Sequence, residues 1–248
     1  MTIPHQPKKV LETDQIIVYD DFLPQEEVER LYTHFMGSDY EYINTQKVSR
    51  AWKIRDQFPL RGKSIFCYDE AAQKPEADWV YPINEDLDLF IDNMNNMLPE
   101  VAHLVGRSGK DWQAYSVTQW IYQAGTGLSL HDDGANTYSG AYAYFLSKEW
   151  NIHWGGLLIV LDKETDKAID QFKQEYGHLR YWKENWLDDN QESLLIEEIG
   201  LGQFVYPKFN RIVFIKNNAY HAVTSITPSA GDRTRKSLAG FFHIRGRS

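Results

Sequence analysis

Cysteine and long apolar runs are the features that this chain of 248 residues most clearly lacks. Its single cysteine, Cys67, can form neither an internal disulfide nor a thiolate metal cluster, which suits a reducing compartment. No apolar run approaches the roughly 18–20 residues of a membrane-spanning helix, and residues 1–10 lack the apolar core of a signal peptide. We therefore expect a cytoplasmic protein with no membrane partner.

Positive charge is also in deficit, since the formal net charge is −9. An acidic balance argues against binding to a nucleic-acid polymer, whose phosphates require basic partners. The length suits one large β-sandwich or barrel domain with a helical addition, so we predict a single domain over residues 1–248. Aromatic residues make up 14% of the chain, which favours a β-rich core or an aromatic-lined pocket.

We expect this domain to consist of an N-terminal support region at 1–111 and a β-rich core at 112–248. A charged amphipathic stretch at 163–192 interrupts the core, and such an insertion is either surface decoration or a lid. The predicted core strands are Ala114–Tyr122, Leu128–Asp133, Gly140–Leu146, Leu157–Leu161, Arg211–Ile215, His221–Ile226 and Arg235–His243. Many short strands with Gly/Pro turns favour a sandwich or barrel, and a double-stranded β-helix (jelly roll) fits their number. The predicted fold class is mainly β with flanking helices (α+β).

Helical spacing of apolar residues marks two helices in the support region. The first is predicted at Gln25–Met36, with acidic residues in its first turn. The second should run from about Asn84 to Leu98, where Pro99 is expected to break or kink it. A strand is predicted at Gln15–Tyr19, and the weak alternation of 48–68 is typical of a polar-faced strand pair or a pocket wall.

One predicted strand, Leu128–Asp133, carries the residues that bear most directly on function. Alternation along a strand turns His131 and Asp133 to one face and Asp132 to the other. A second histidine, His221, lies 90 positions further along the chain. Two histidines and one carboxylate form the facial triad that binds non-haem Fe(II) and leaves positions open for substrate and O2.

Three other interpretations of these residues stay open. A His-Asp-Asp-Gly run is also typical of a polar turn closed by glycine. The same His/Asp/His set could bind zinc in a hydrolase. The two histidines could instead be hydrogen-bonded core residues of a jelly-roll binding module that is not an enzyme.

Several stretches of the chain form a set that can be compared with known families. They are Asp20–Pro24, Tyr122 through Gly134, Tyr144-Phe145-Leu146, Glu149-Trp150, Trp154-Gly155-Gly156, Tyr206–Arg211, His221-Ala222-Val223 and Arg235–His243. Together they resemble the prolyl 4-hydroxylase-like branch of the Fe(II)/2-oxoglutarate-dependent oxygenases. They include the beginning of the chain and most of its C-terminal half. As a set they are specific for the superfamily.

The resemblance implies that His131, Asp133 and His221 are the iron ligands. It also implies that a basic residue after His221 binds the C5 carboxylate of 2-oxoglutarate. Arg233 is nearer the usual spacing, but the pattern Arg-x-Ser-x-x-Gly-Phe-Phe-His begins at Arg235, so we predict Arg235. An arginine suits this role because its planar fork holds a carboxylate through two charge-assisted hydrogen bonds.

Two further cosubstrate contacts follow from the same resemblance. Ser237 lies two residues after Arg235 on the same strand face and could donate another hydrogen bond. Tyr122 is near the position where the family often has a tyrosine over the cosubstrate, although a core tyrosine at a strand end is the alternative.

The activity implied is that of a dioxygenase that uses Fe(II), 2-oxoglutarate and O2. It would hydroxylate an unactivated C–H bond and release succinate and CO2. Halogenating relatives replace the carboxylate ligand with glycine or alanine, whereas this chain keeps Asp133, so we predict hydroxylation rather than chlorination. The absence of a separate peptide-binding module favours a small-molecule substrate, such as an amino acid, a nucleotide or a natural-product intermediate. A prolyl hydroxylase acting on a peptide or protein is the alternative.

Overall fold

The computed structural model describes residues 5–43, 56–133, 137–162, 196–197 and 202–245. These residues form two α-helices, α1 (Gln25–Gly37) and α2 (Leu87–Val105). They also form twelve strands: β1 (Lys8–Glu12), β2 (Ile16–Asp20), β3 (Glu41–Tyr42), β4 (Leu60–Tyr68), β5 (Ala114–Tyr122), β6 (Leu128–His131), β7 (Tyr138–Phe145), β8 (Leu158–Leu161), β9 (Gly202–Val205), β10 (Arg211–Lys216), β11 (His221–Val223) and β12 (Arg235–His243). No helix in the described ranges is long and apolar enough to cross a bilayer.

The strands build two sheets. The large sheet has eight strands in the order β1-β2-β10-β7-β12-β5-β4-β3, and the small sheet has four in the order β6-β11-β8-β9. The pairs within each sheet are antiparallel throughout. Two antiparallel sheets of this kind, with the helices on one side, form a jelly roll, which confirms the predicted fold class.

Both faces of the large sheet are covered, and β10 illustrates the consequence. Ile212 and Phe214 belong to the apolar cluster shared with the helices. Val213 and Ile215 belong to a second cluster, which contains residues of β8, β9 and β11 and therefore fills the space between the sheets. Because both faces are buried, β10 has a continuous apolar sequence instead of an alternating one.

The second helix differs from its prediction at both ends. It begins later, because Asn84 has a left-handed backbone and the Asp88 carboxylate accepts hydrogen bonds from the N–H groups of Ile83 and Asn84. It also continues through Pro99 to Val105, so the predicted end at Leu98 was wrong. Beyond the proline, Val101 and the last turn lie in the helix-side core, and this burial outweighs the hydrogen bond that proline removes.

Strand boundaries were predicted with mixed success. β5 and β12 have the predicted bounds, whereas β6 ends at His131 and not at Asp133. Sequence patterns missed β1 and β9. The first four strands belong to the large sheet, so the predicted support region also supplies part of the β structure. The predicted insertion at 163–192 lies outside the described residues, and the division of the chain at residue 111 stays a prediction.

Candidate active site

His131 and His221 face each other across neighbouring strands of the small sheet. They form a registered pair between β6 and β11, and their ring centroids are 4.3 Å apart. Asp133 lies two residues beyond the end of β6, with Oδ1 3.5 Å from Nε2 of His131 and Oδ2 3.7 Å from Nε2 of His221. One ligand atom from each of the three residues lies within 4.8 Å of the others. Pairing between strands therefore brings the two histidines together, and the turn after β6 returns the carboxylate to them.

Each histidine is oriented by its own backbone. Nδ1 of His131 lies 2.8 Å from the carbonyl oxygen of Ser129, and Nδ1 of His221 lies 2.8 Å from that of Ala219. A carbonyl oxygen can only accept, so both Nδ1 atoms carry the proton and donate it. The lone pair of each neutral imidazole is then on Nε2, which is directed toward Asp133. This tautomer is the one that binds a metal through Nε2.

Burial and mutual charge set the protonation of the three groups. Burial lowers the pKa of His131, but the hydrogen bond and charge of Asp133 outweigh it and raise the pKa above its ordinary value. For His221, burial dominates and the pKa is lowered. Burial raises the pKa of Asp133, yet the two imidazoles bring it below its usual range, so this residue is a carboxylate near neutral pH. The cluster thus combines one anionic oxygen ligand with two histidines in a site largely closed to water.

Of the two adjacent aspartates, Asp133 joins the cluster and Asp132 is not part of it. The prediction assumed that Asp133 lay on the strand, where alternation would align it with His131. The strand has already ended, so the alignment comes from the backbone of residues 132–133 and not from strand pleating.

Arg235, the predicted cosubstrate anchor, is the first residue of β12 and is 2% exposed. It pairs across the strands with Tyr122. Its guanidinium carbon lies 5.3 Å from the ring centroid of Tyr122 and 4.9 Å from that of Phe145. Nη1 donates a long hydrogen bond of 3.4 Å to Oγ of Ser237, which is also buried. The three predicted cosubstrate residues therefore lie together on the inner face of the large sheet.

The charge of Arg235 is incompletely satisfied. Its Nε is buried without a hydrogen-bond partner, and no carboxylate within the described ranges forms an ion pair with it. Burial lowers the pKa of Arg235 to about 10, so the group is still a cation at neutral pH. A buried cation without an anion is costly, and a bound carboxylate would remove the cost.

Arg233, the competing candidate, has different surroundings. It is exposed in the loop before β12, and its guanidinium lies 4.8 Å from the ring centroid of Trp154. That stacking stays at the surface, so Arg233 is separated from the inner face on which Arg235 and Ser237 lie.

Sequence reasoning missed one buried carboxylate beside the site. Asp56 is 4% exposed and accepts hydrogen bonds from both the N–H and the hydroxyl of Ser129, on the strand that carries His131. Asp56 precedes Ser129 by 73 positions and belongs to no local motif. No signal in the sequence connects the two residues.

Comparison with known proteins identifies the class. Residues 115–243 match the 2OG-Fe(II) oxygenase superfamily, and this match covers more than half of the chain. The protein belongs to that superfamily. It is a dioxygenase that uses Fe(II), 2-oxoglutarate and O2. No curated protein matches the chain.

Solved structures share the fold at low sequence identity. A prolyl-4-hydroxylase from Pseudomonas putida aligns with a TM-score of 0.55 and 14% identity over 92% of each chain. A 2OG-Fe(II) oxygenase family oxidoreductase from Burkholderia pseudomallei aligns with a TM-score of 0.54 and 10% identity, covering 94% of this chain and 87% of the other. A prolyl hydroxylase from Trichoplax adhaerens, in complex with a hypoxia inducible factor oxygen degradation domain peptide fragment, has a TM-score of 0.53 and 12% identity, with coverages of 94% and 84%. At these identities the likeness concerns the fold and not the substrate.

The residues present fit both groups that this family uses. Two histidines whose Nδ1 protons are held by carbonyl oxygens, so that Nε2 is the atom free to bind a metal, and one carboxylate match the donor set that non-haem Fe(II) takes in oxygenases. The unpartnered Nε of the buried Arg235 matches a carboxylate of 2-oxoglutarate.

Proposed function

We propose that His131, Asp133 and His221 bind Fe(II) and that Arg235 binds the C5 carboxylate of 2-oxoglutarate. The enzyme then hydroxylates an unactivated C–H bond of a small molecule. Ser237 and Tyr122 complete the cosubstrate pocket, one by hydrogen bonding to the arginine and the other by covering it.

The observation that carries this proposal is the unpaired burial of Arg235. Replacing water around a guanidinium with two aromatic rings destabilises the protein unless an anion compensates. A zinc hydrolase has no use for such a cation on the strand after the last ligand, and neither does a binding module whose histidines only pack. An enzyme that holds a dicarboxylic cosubstrate does.

When bound, Fe(II), 2-oxoglutarate and O2 supply the oxidation, in which R–H, 2-oxoglutarate and O2 give R–OH, succinate and CO2. The protein provides the remaining functions. The Nδ1 hydrogen bonds fix the imidazoles so that both Nε2 atoms converge. Asp133, whose two oxygens lie near Nε2 of His131 and of His221, would add the negative charge that favours a divalent cation in this buried site.

The aromatic residues around Arg235 have a defined part in this mechanism. Phe145 and Tyr122 exclude water from the guanidinium, which strengthens its attraction for a carboxylate. Arg235 pairs with Tyr122 at the start of a nine-residue strand, and its buried guanidinium contacts the rings of Tyr122 and Phe145, which restricts its conformations. Binding of the carboxylate therefore requires little loss of conformational entropy from Arg235.

Succinate formation measures both the activity and the substrate class. Purified enzyme with Fe(II) and 2-oxoglutarate is offered free amino acids, nucleosides and proline-containing peptides, and succinate is quantified against a no-substrate background. We expect a free small molecule to raise succinate formation and to gain one oxygen atom by mass. Stimulation by the proline-containing peptides alone would replace the small-molecule proposal with a peptidyl prolyl hydroxylase.

A further inference from the structure

The strand that carries His131 has little support from its own sheet. β6 has four residues and is the edge of the small sheet, and among the described strands β11 alone pairs with it. That pairing is irregular between its two registered pairs, His131 with His221 and Leu128 with Val223. Short edge strands with few hydrogen bonds open easily. A metal ligand at the end of such a strand requires another constraint.

Asp56 supplies hydrogen-bond acceptors on the side of β6 that faces away from β11, and for the residue before the strand. Its carbonyl oxygen accepts from the N–H of Gly127 at 3.0 Å, and its Oδ2 accepts from the N–H of Ser129 at 3.1 Å. The Ser129 hydroxyl lies 2.7 Å from Oδ2 and 2.9 Å from Oδ1. Asp56 and Ser129 are 4% and 5% exposed, so these bonds form away from water, where they are strongest. Asp56 thus accepts hydrogen bonds from backbone N–H groups that a further strand would otherwise pair with.

The same serine orients the histidine. The backbone N–H of Ser129 donates to Asp56, and its C=O accepts from Nδ1 of His131 at 2.8 Å. A displacement of Ser129 therefore moves the acceptor that fixes the tautomer and the ring angle of His131. Hydrogen bonds therefore connect Asp56 to Nδ1 of His131 through the backbone of Ser129.

The other histidine provides an internal comparison. Nδ1 of His221 also bonds to the carbonyl two residues earlier, that of Ala219. Its strand, however, is paired on both sides, with β6 and with β8. His221 is therefore held by the sheet, whereas His131 depends on a contact from outside the sheet.

We propose that Asp56 is a positioning residue for His131, which it holds in the metal-binding orientation through Ser129. The inference rests on the proposed metal site. Residues that orient metal ligands in this way typically change metal affinity by about 10–100-fold when they are removed. The hydrogen bonds described for Asp56 are to Gly127 and Ser129, so its effect on the metal should pass through Ser129 and appear as weaker metal binding in a folded protein.

Co(II) titration of the metal-free protein tests the proposal without turnover, since Co(II) takes the same ligands and its d–d absorption reports them. In Asp56→Ala we expect the dissociation constant for Co(II) to rise by about 10–100-fold. In Asp56→Asn it should stay within about threefold of wild type, because one amide oxygen can replace Oδ2, which already accepts both Ser129 bonds. Equal losses in the two variants would assign the effect to charge and overturn the proposal.

A second reading of the Co(II) protein identifies which histidine is affected. The two imidazole N–H protons of the Co(II) protein should give hyperfine-shifted NMR signals. These signals report how fast each proton exchanges with solvent. In Asp56→Ala one signal, from His131, should exchange faster, while that of His221 should keep its wild-type rate. Acceleration of both signals would indicate general loosening of the site and would contradict the proposal.

Asp20→Ala is the matched control. Asp20 is likewise buried, at 6% exposed, and bonded within the chain, but its partners are Arg211 and Lys208 and it lies on β2 of the large sheet. This variant should lower the unfolding temperature and leave Co(II) affinity unchanged. If it weakens Co(II) binding as much as Asp56→Ala does, destabilisation alone explains the effect and the proposal is wrong.

Two further measurements keep the test decisive. If Asp56→Ala does not fold, Ser129→Ala replaces it. That variant keeps the N–H bond but loses the hydroxyl bond, and we expect its affinity for Co(II) to fall by about 3–10-fold; wild-type affinity would overturn the proposal.

If wild type and Asp133→Ala bind Co(II) equally, the proposed metal site itself is wrong. Wild-type affinity in folded Asp56→Ala, with binding still lost in Asp133→Ala, refutes only the positioning role.

Discussion

Removing the guanidinium of Arg235 should weaken the use of 2-oxoglutarate far more than removing that of Arg233. Arg235 is 2% exposed, lies between two aromatic rings and has a buried Nε without a partner. In Arg235→Ala the C5 carboxylate would enter the same apolar surroundings with no cation to receive it. Loss of one member of a buried hydrogen-bonded charge pair costs about 2–5 kcal/mol. At about 1.4 kcal/mol per tenfold change, the expected rise in KM is on the order of 30-fold to a few thousand-fold.

The assay is the apparent KM for 2-oxoglutarate, followed as succinate formation at saturating Fe(II). Arg233→Ala is the matched control, because it removes an equal charge from an exposed residue only two positions away. Its KM should stay within about twofold of wild type, as expected for a solvated surface charge. Arg235→Lys should be intermediate, since it keeps the charge but loses the fork that binds a carboxylate through two bonds.

Two results would refute this reasoning. A large rise in KM for Arg233→Ala with little change for Arg235→Ala would show that the alignment of the last strand is wrong. An unchanged KM in both variants would remove the main support for Arg235 as the anchor, because a buried cation that contributes nothing to binding would need another explanation.

Three further predictions concern Asp133 as a metal ligand and the effect of Arg235 on the stability of the protein. Asp133→Ala should abolish turnover and Fe(II) binding, whereas Asp132→Ala should be mild; the reverse result would reassign the ligand. Asp133→Gly with chloride should give an almost inactive enzyme and little chlorinated product, because halide transfer also needs suitable surroundings and a displaced substrate; efficient chlorination would contradict this. Arg235→Met should unfold at a temperature equal to or above that of wild type without cosubstrate, since it removes an unpaired buried charge, and should lose the stabilisation by 2-oxoglutarate that wild type shows in thermal melts. A large fall in unfolding temperature would indicate that Arg235 has a structural role.

Strands with strong local signals were predictable from the sequence. β5 and β12 are nine-residue runs of mainly apolar, aromatic or β-branched residues bounded by turns, and their predicted and observed bounds agree. α2 shows where local rules fail: proline disfavours helix locally, but burial of the next turn decides the outcome. β9 has one buried residue of four and little periodicity, so its pairing with β8 could not be seen in the sequence.

The sequence predicted that the side chains of the candidate site would converge, but not how they do so. Alternation suggested that His131 and Asp133 converge, and they do, although Asp133 lies beyond the strand. The approach of His221 depends on strand pairing across 90 positions, which the resemblance to a family supplied and local patterns could not. Asp56 was missed for the same reason, because a contact between distant segments leaves no periodic trace.

The two proposed histidine ligands and the proposed anchor lie on different sheets, with the core between the sheets separating them. His131 and His221 belong to the small sheet, and Arg235 belongs to the large one. The apolar cluster between them includes Tyr122 and Phe145, whose rings also contact the guanidinium. On the proposed assignment, the metal end and the carboxylate-binding end lie on the two sheets that this cluster joins. Because close packing transmits small changes in volume, substitutions in the cluster should change the KM for 2-oxoglutarate even where they touch neither end.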